Sequence, residues 1–173
     1  MPELRPLTPA DAEAYRAARL QMLREAPAAF LTTAEEFAER PLDAVAERLR
    51  PDPENVTFGA WDGKELIGVC TLVREQRPRL RHRAEVFGMG VLARAQGQGV
   101  GRALLTAATA YARELPGVQS VHLFVMETQA PARRLYESLG FRVWGTEPHA
   151  MCIGGQLLRA HGMWLDLTGA DGD

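Results

Sequence analysis

Three glycines at alternate positions lie in the run Gln96–Gly97–Gln98–Gly99–Val100–Gly101–Arg102. The run joins a strand-like stretch, Val86 to Leu92, to a helix-like stretch, Ala103 to Leu115. Without a Cβ, glycine lets successive main-chain N–H groups turn into one concavity. The positive end of a helix dipole begins beside them. Together these features make a pocket for a diphosphate. It is not the P-loop kind, which needs Gly-Lys followed by Ser or Thr, because Arg102 and Ala103 follow Gly101 here. A dinucleotide fingerprint is met only loosely by Gly88–Met89–Gly90–Val91–Leu92–Ala93. That stretch lies inside a strand, no helix follows at once, and the required acid about twenty residues on is missing. Taken alone, the glycine loop is also compatible with nothing more than a tight turn.

A second motif follows about thirty residues later: Gln129–Ala130–Pro131–Ala132–Arg133–Arg134–Leu135–Tyr136–Glu137–Ser138–Leu139–Gly140–Phe141. With both motifs in this order, the chain resembles the GNAT superfamily of acyl-CoA-dependent N-acyltransferases. Gln96, Gly99 and Gly101 match that family's Q/R-x-x-G-x-G/A loop. Ala132, Leu135, Tyr136, Glu137, Gly140 and Phe141 match its N-x-x-A-x-x-L-Y-E-x-x-G-F helix, with Gln129 standing where Asn is usual. The order of elements over residues 3–167 fits as well.

The resemblance implies a mixed α/β fold. Its six- to seven-stranded, mostly antiparallel sheet would carry helices on both faces and splay between the fourth and fifth strands. Acetyl-CoA would enter that gap as co-substrate. Main-chain groups of Met89, Gly90 and Val91 would hold the pantetheine and acetyl carbonyl, where a backbone N–H would stabilise the oxyanion of the tetrahedral intermediate. Gln96, Gly97, Gln98, Gly99, Val100, Gly101 and Arg102 would hold the pyrophosphate, with Gln129 and Ala132 alongside. Tyr136 would protonate the departing thiolate, whose pKa near about 8.5 makes it a tolerable leaving group. An amine that titrates near about 10 needs a base. Glu85 takes that role at the family's offset, six residues before Val91, with His122 as its rival. His161, Glu147 and His149 are candidates on the acceptor side. Phe30, Glu35, Glu36 and Trp144 are candidates for an acceptor pocket, where the carboxylates would suit a cationic amine.

The implied function is acetyl transfer from acetyl-CoA to a primary amine by direct attack in a ternary complex, with no metal. The acceptor is a small-molecule or peptide amine, the former favoured. A non-catalytic acyl-CoA-binding or sensory module is the alternative the same cofactor motifs allow. The resemblance also allows a homodimer.

These residues need elements to position them. Glu3 to Leu7 reads as a strand, and Thr8–Pro9–Ala10–Asp11 opens a helix with Thr8 as N-cap and Asp11 as its N3 acid. Ala26 to Arg40 is mixed, and Pro41 restarts a helix that Pro51–Asp52–Pro53 ends. Asp62–Gly63 marks a two-residue hairpin turn between strands Val56 to Trp61 and Leu66 to Arg74. Ala84 to Leu92 and Val118 to Val125 are strands. Ala130 to Leu139 is a helix with Pro131 in its first turn and Gly140 just past its end. Phe141 to Ile153 and Gln156 to Leu167 close the chain as a hairpin around Gly154–Gly155.

At 173 residues the expectation is a single domain over residues 1–173. A net charge of −2 gives no bulk attraction to nucleic acid or anionic membrane. Arg74, Arg77, Arg79, Arg81, His82 and Arg83 flank a turn without interleaved aromatics, which fits a solvated hairpin or dimer contact better than a nucleic-acid surface. Two cysteines, no signal-peptide pattern and no long apolar helix lead to the expectation of a soluble, reduced, cytoplasmic protein.

Overall fold

The computed structural model describes residues 2–169. They form a seven-stranded sheet from β1 (Glu3–Pro6), β2 (Asn55–Asp62), β3 (Glu65–Arg74), β4 (Arg83–Val91), β5 (Ser120–Met126), β6 (Arg142–Ile153) and β7 (Gln156–Asp166). Spatial order is β1-β2-β3-β4-β5-β7-β6. Every neighbouring pair is antiparallel except β4 and β5. Helices α1 (Ala12–Glu25), α2 (Ala34–Ala38) and α3 (Leu42–Arg48) precede β2. Helix α4 (Val100–Glu114) crosses from β4 to β5, and α5 (Ala130–Ser138) crosses from β5 to β6.

β2 and β3 are buried almost continuously rather than at alternate residues, because helices cover both faces of the sheet. Helix α1 packs on β3 and β4, and α4 packs on β2, β3 and β4. Leu104, Leu105, Ala108 and Ala112 give α4 a fully buried stripe at helical spacing. Its small members let the helix lie close to the sheet. Gly68 serves the same end on β3, where a Cβ would stand 2.9 Å from Leu104.

The expected hairpin forms one residue later than its strongest turn dipeptide suggests. Asp62 pairs with Glu65, so the turn residues are Gly63 and Lys64, with Gly63 at φ +57°. The mixed stretch after α1 resolves into a short 3-10 turn, Pro27–Ala29, and the five-residue α2. α2 is set by a capping box in which Thr33 and Glu36 satisfy each other's main-chain amides.

The arginine-rich turn is internally tied. Arg74 and Arg81 share the Glu54 carboxylate, and Arg74 also donates to the carbonyls of Arg81 and Pro116. Two of its cations therefore staple β3 to the loops around it.

At the start of α1, the Asp11 carboxylate accepts from the Thr8 amide at 2.8 Å and takes a bidentate grip from Arg5, at 2.7 and 2.9 Å. The Arg5 hydrogen bond, ahead of that from Thr8, holds the Asp11 carboxyl below its usual range. Asp11→Ala is expected to lower stability by about 2 kcal/mol at pH 7. A depressed folded-state pKa means this contribution is present above the unfolded value, about 3.9, and is lost as pH falls through the folded one. The stability gap between wild type and variant in thermal unfolding should therefore narrow as pH falls below the unfolded-state value.

Candidate active site

The site is made where two strands part. β4 and β5 pair only at Arg83 with Ser120, Ala84 with Val121 and Glu85 with His122. Beyond Glu85 they diverge, and a bulge in β4 marks the point. Val69 pairs with Gly90 and Thr71 with Phe87, so Gly88 and Met89 together face the single residue Cys70. Gly88 takes φ +58°, a conformation that suits glycine at a bulge. Its carbonyl is held by Arg19 of α1 at 2.9 Å.

Past the bulge, the amide of Leu92 donates to Ile67 of β3. Antiparallel alternation then turns the N–H and C=O of Val91 away from β3, toward the gap. The Val91 carbonyl is met there by the side-chain amide of Gln96 at 3.0 Å. The parted strands thus offer the gap a main-chain edge that β5 does not pair.

The glycine loop sits at the mouth of this gap. Gly97 and Gly99 take φ of +74° and +83°, and Gly99 caps α4. A Cβ at either would meet nothing within 4 Å. It is therefore the backbone conformation, with an open space in front of it, that calls for glycine. The first amide of this segment to find a main-chain carbonyl is that of Ala103, on Gly99 at 3.0 Å. Among the described residues, no hydrogen bond is seen from the amides of 97–102. Amides of this loop at the positive end of a 15-residue helix suit an anion.

A cavity of about 620 Å³ runs from this loop along the parted strands. Met89, Gly90 and Val91 line one wall, and Gly97, Gly99 and Gly101 its mouth. Gln96, Val100 and Arg102 complete that end, with Arg102 donating to the Ser138 hydroxyl of α5 at 2.7 Å. Gln129, Ala132 and Tyr136 of the second motif close the opposite wall. Gln98 differs: its side chain folds back onto the Arg94 carbonyl at 2.9 Å, leaving only its main chain toward the loop.

Tyr136 is buried, its ring packed at 6.2 Å from Phe141. Among the described residues its hydroxyl has no hydrogen-bond partner. Burial, helped by Cys70 below it, raises its pKa above the usual phenol value. A phenol keeps its proton at neutral pH, and this one faces the cavity. The Cys70 thiol, fully buried, is pushed up to about 12 by desolvation and stays protonated.

A second cavity, about 670 Å³, opens on the other side of the splay. It meets the first at Ala29, Phe30, Val86, Gly88, Phe124 and Met126, which line both. Glu85 lies in this second cavity, half-buried. Desolvation raises its pKa, and Arg83 works against the rise. Glu147 lines the cavity from β6.

Other candidates fall elsewhere. Glu35 and Glu36 are exposed on α2 and line neither cavity, with Glu36 engaged in its capping box. His161 is held between Thr146 and Arg133, outside both cavities. His122 faces Ser120 at 3.0 Å, and burial takes its pKa down to about 4. It is outside both cavities too. Trp144 stacks edge-on to Phe124 at 6.0 Å, beside the junction. His149, also outside both, is exposed and sits in a β6 bulge at φ +56°.

The motifs did not point to Arg19, Arg40 and Arg48, which line the second cavity. One signal was in the sequence. Arg19 falls three and four residues before Met22 and Leu23, on the buried face of α1.

Residues 20–141 match the Acetyltransferase (GNAT) family. The chain belongs to that family. It is 54% identical over 65 residues to a mycothiol acetyltransferase from Acidothermus cellulolyticus, covering 36% of this chain and 19% of that one. A mycothiol acetyltransferase from Salinispora tropica is 33% identical over 120 residues, covering 64% of this chain and 39% of its own length. The chain therefore matches less than half the length of these curated relatives. A Salmonella typhimurium protein solved with its cofactor acetyl-CoA superposes with a TM-score of 0.80 at 22% identity, covering 100% of this chain and 98% of that one. No helix of the described residues is long and apolar enough to cross a membrane.

Proposed function

We propose that this chain transfers an acetyl group from acetyl-CoA to the amine of a small molecule, by direct attack while both are bound. One observation carries the reading: two cavities meet at the point where β4 and β5 part, one bearing the amide cradle and Tyr136, the other bearing Glu85. The amides of 97–102 suit a pyrophosphate, and the unpaired edge of β4 suits the amides of a pantetheine arm. Glu85 accepts the proton that an ammonium must lose before attack. Tyr136 gives its proton to the thiolate that leaves. A main-chain N–H of the β4 bulge steadies the charge on the carbonyl oxygen between those steps. The mycothiol acetyltransferases it resembles support a small-molecule acceptor over a protein N-terminus.

The test is amine-dependent release of coenzyme A thiol, followed with a panel of amines. Release that requires an amine supports transfer. Saturable acetyl-CoA binding with no release from any amine would favour a binding module instead.

A pH profile examines Glu85. The carboxylate is the working form, so kcat/KM should rise as pH climbs through the raised Glu85 pKa. Glu85→Gln is expected to lower kcat/KM by about 10²-fold or more and to erase that inflection. An unchanged profile would remove Glu85 from the chemistry.

A further inference from the structure

The second cavity is built for a negative charge, although an acceptor amine is itself a cation. Three guanidinium groups line it, each from a different part of the helical layer. Arg19 comes from the middle of α1, Arg40 from the link between α2 and α3, and Arg48 from the end of α3. Arg19 is the telling one, only 8% exposed. A buried cation ordinarily has a carboxylate partner, because leaving water without one costs several kcal/mol. Arg19 instead donates to the Gly88 carbonyl and lies 4.3 Å over the Phe30 ring. One carbonyl engages a single donor of a five-donor fork.

Arg40 lies over Phe37 at 5.5 Å. Among the described residues none of the three has a carboxylate at ion-pair distance. The acid within electrostatic reach of Arg40, Glu36, is exposed and already caps α2 through Thr33. Burial lowers the Arg19 pKa; Tyr15 works against that fall, while the charges of Arg48 and Arg40 add to it, so both of these cations repel Arg19. Buried Arg19 thus keeps donors that an anion could use, with half-buried Arg40 and exposed Arg48 beside it, and guanidinium forks match the oxygens of carboxylate and phosphate groups.

The carboxylates in the cavity are Glu85 and Glu147, and Glu85 sits on the strand that leads into the splay. The cavity is thus divided by charge, with guanidinium groups from the helical layer and carboxylates from the sheet. We infer that the acceptor is an amine that also carries an oxyanion group, a carboxylate or phosphate, which the Arg19–Arg40–Arg48 cluster holds while the amine faces Glu85. This inference rests on the transfer reading above for its acceptor site. It reverses the expectation that Glu35 and Glu36 would gather a simple cationic amine.

The test titrates matched ligands into the full chain by calorimetry, with and without saturating coenzyme A. The pairs are α-amino acids against their carboxamides, and phosphoethanolamine against ethanolamine. We expect the member with the oxyanion group to bind about 10- to 100-fold tighter than the partner that lacks it. Whichever pair shows the gap identifies carboxylate or phosphate as the source. In the Arg40→Gln/Arg48→Gln double variant the gap should shrink to about threefold or less, with acetyl-CoA binding as the check that the variant is folded.

Equal or weaker binding by the members with the oxyanion group overturns the inference, as does a preference that survives undiminished in the folded double variant. Thiol release run on the same pairs separates the two readings. Transfer to amines without an oxyanion group, with no gain from those that carry one, overturns the oxyanion site and leaves the transfer reading standing. Tight binding of an amine with the oxyanion group, without transfer, supports the oxyanion site and counts against transfer.

Discussion

Tyr136→Phe is expected to lower kcat for acetyl transfer by roughly 10²- to 10⁴-fold while moving the Kd for acetyl-CoA by less than about twofold. The ring is what packs: it is buried against Phe141 and lines the cavity wall. Phenylalanine keeps that packing. The hydroxyl engages nothing among the described residues, so its loss leaves no buried group unpaired and stability should change little. What disappears is the phenol proton, which Tyr136 carries at neutral pH as any tyrosine does. Steady-state kinetics beside calorimetric binding separates the two roles. A variant with wild-type kcat would make Tyr136 a packing residue only.

Gly99→Glu should weaken acetyl-CoA binding by at least about 10²-fold, through two independent effects. Gly99 takes φ +83°, where a residue with a Cβ is strained by about 1–2 kcal/mol. Relieving that strain would turn the cap of α4 and re-aim the amides behind it. The new carboxylate would also project into the open space before the loop, where a Cβ meets nothing within 4 Å. There it would compete for the N–H groups and repel a diphosphate. Gly99→Ala carries the strain without the charge, so comparing the two variants apportions the loss. Retained affinity in Gly99→Glu would mean the diphosphate binds elsewhere.

The elements that carry their own punctuation were legible in the sequence. Pro131 in its first turn and Gly140 just beyond fixed α5, and the structure ends it at Ser138. The splay was legible through family resemblance, and β4 indeed leaves β5 after Glu85. The hairpin turn slipped by one residue because Asp62 pairs with Glu65 instead of serving in the turn, and Gly63 supplies the positive φ at the next position.

The acceptor side was much harder to read. Glu35 and Glu36 sit together in the sequence and look like a site, but a capping box and an exposed helix face account for their placement. Arg19, Arg40 and Arg48 are spread over two helices and a link, and no local pattern joins them. Only folding α1 against α2 and α3 brings them to one cavity. In a chain this rich in arginine, composition hid them further. The signal that remained was positional: a charged residue on the apolar stripe of α1. His161 misled for a similar reason. Its place on β7 was right, but Thr146 and Arg133 hold its ring away from the cavities.

The central claim is that acetyl-CoA lies in the gap between β4 and β5, held by main-chain amides. Amide hydrogen exchange of the wild-type protein, with and without saturating acetyl-CoA, tests it most directly. In the free protein the amides of 97–102 donate to nothing seen among the described residues, so they should exchange quickly. Bound acetyl-CoA should slow them by at least about tenfold, together with the β4 edge at Met89 and Val91. Saturable binding that protects some other part of the chain, or no binding at all, would contradict the account.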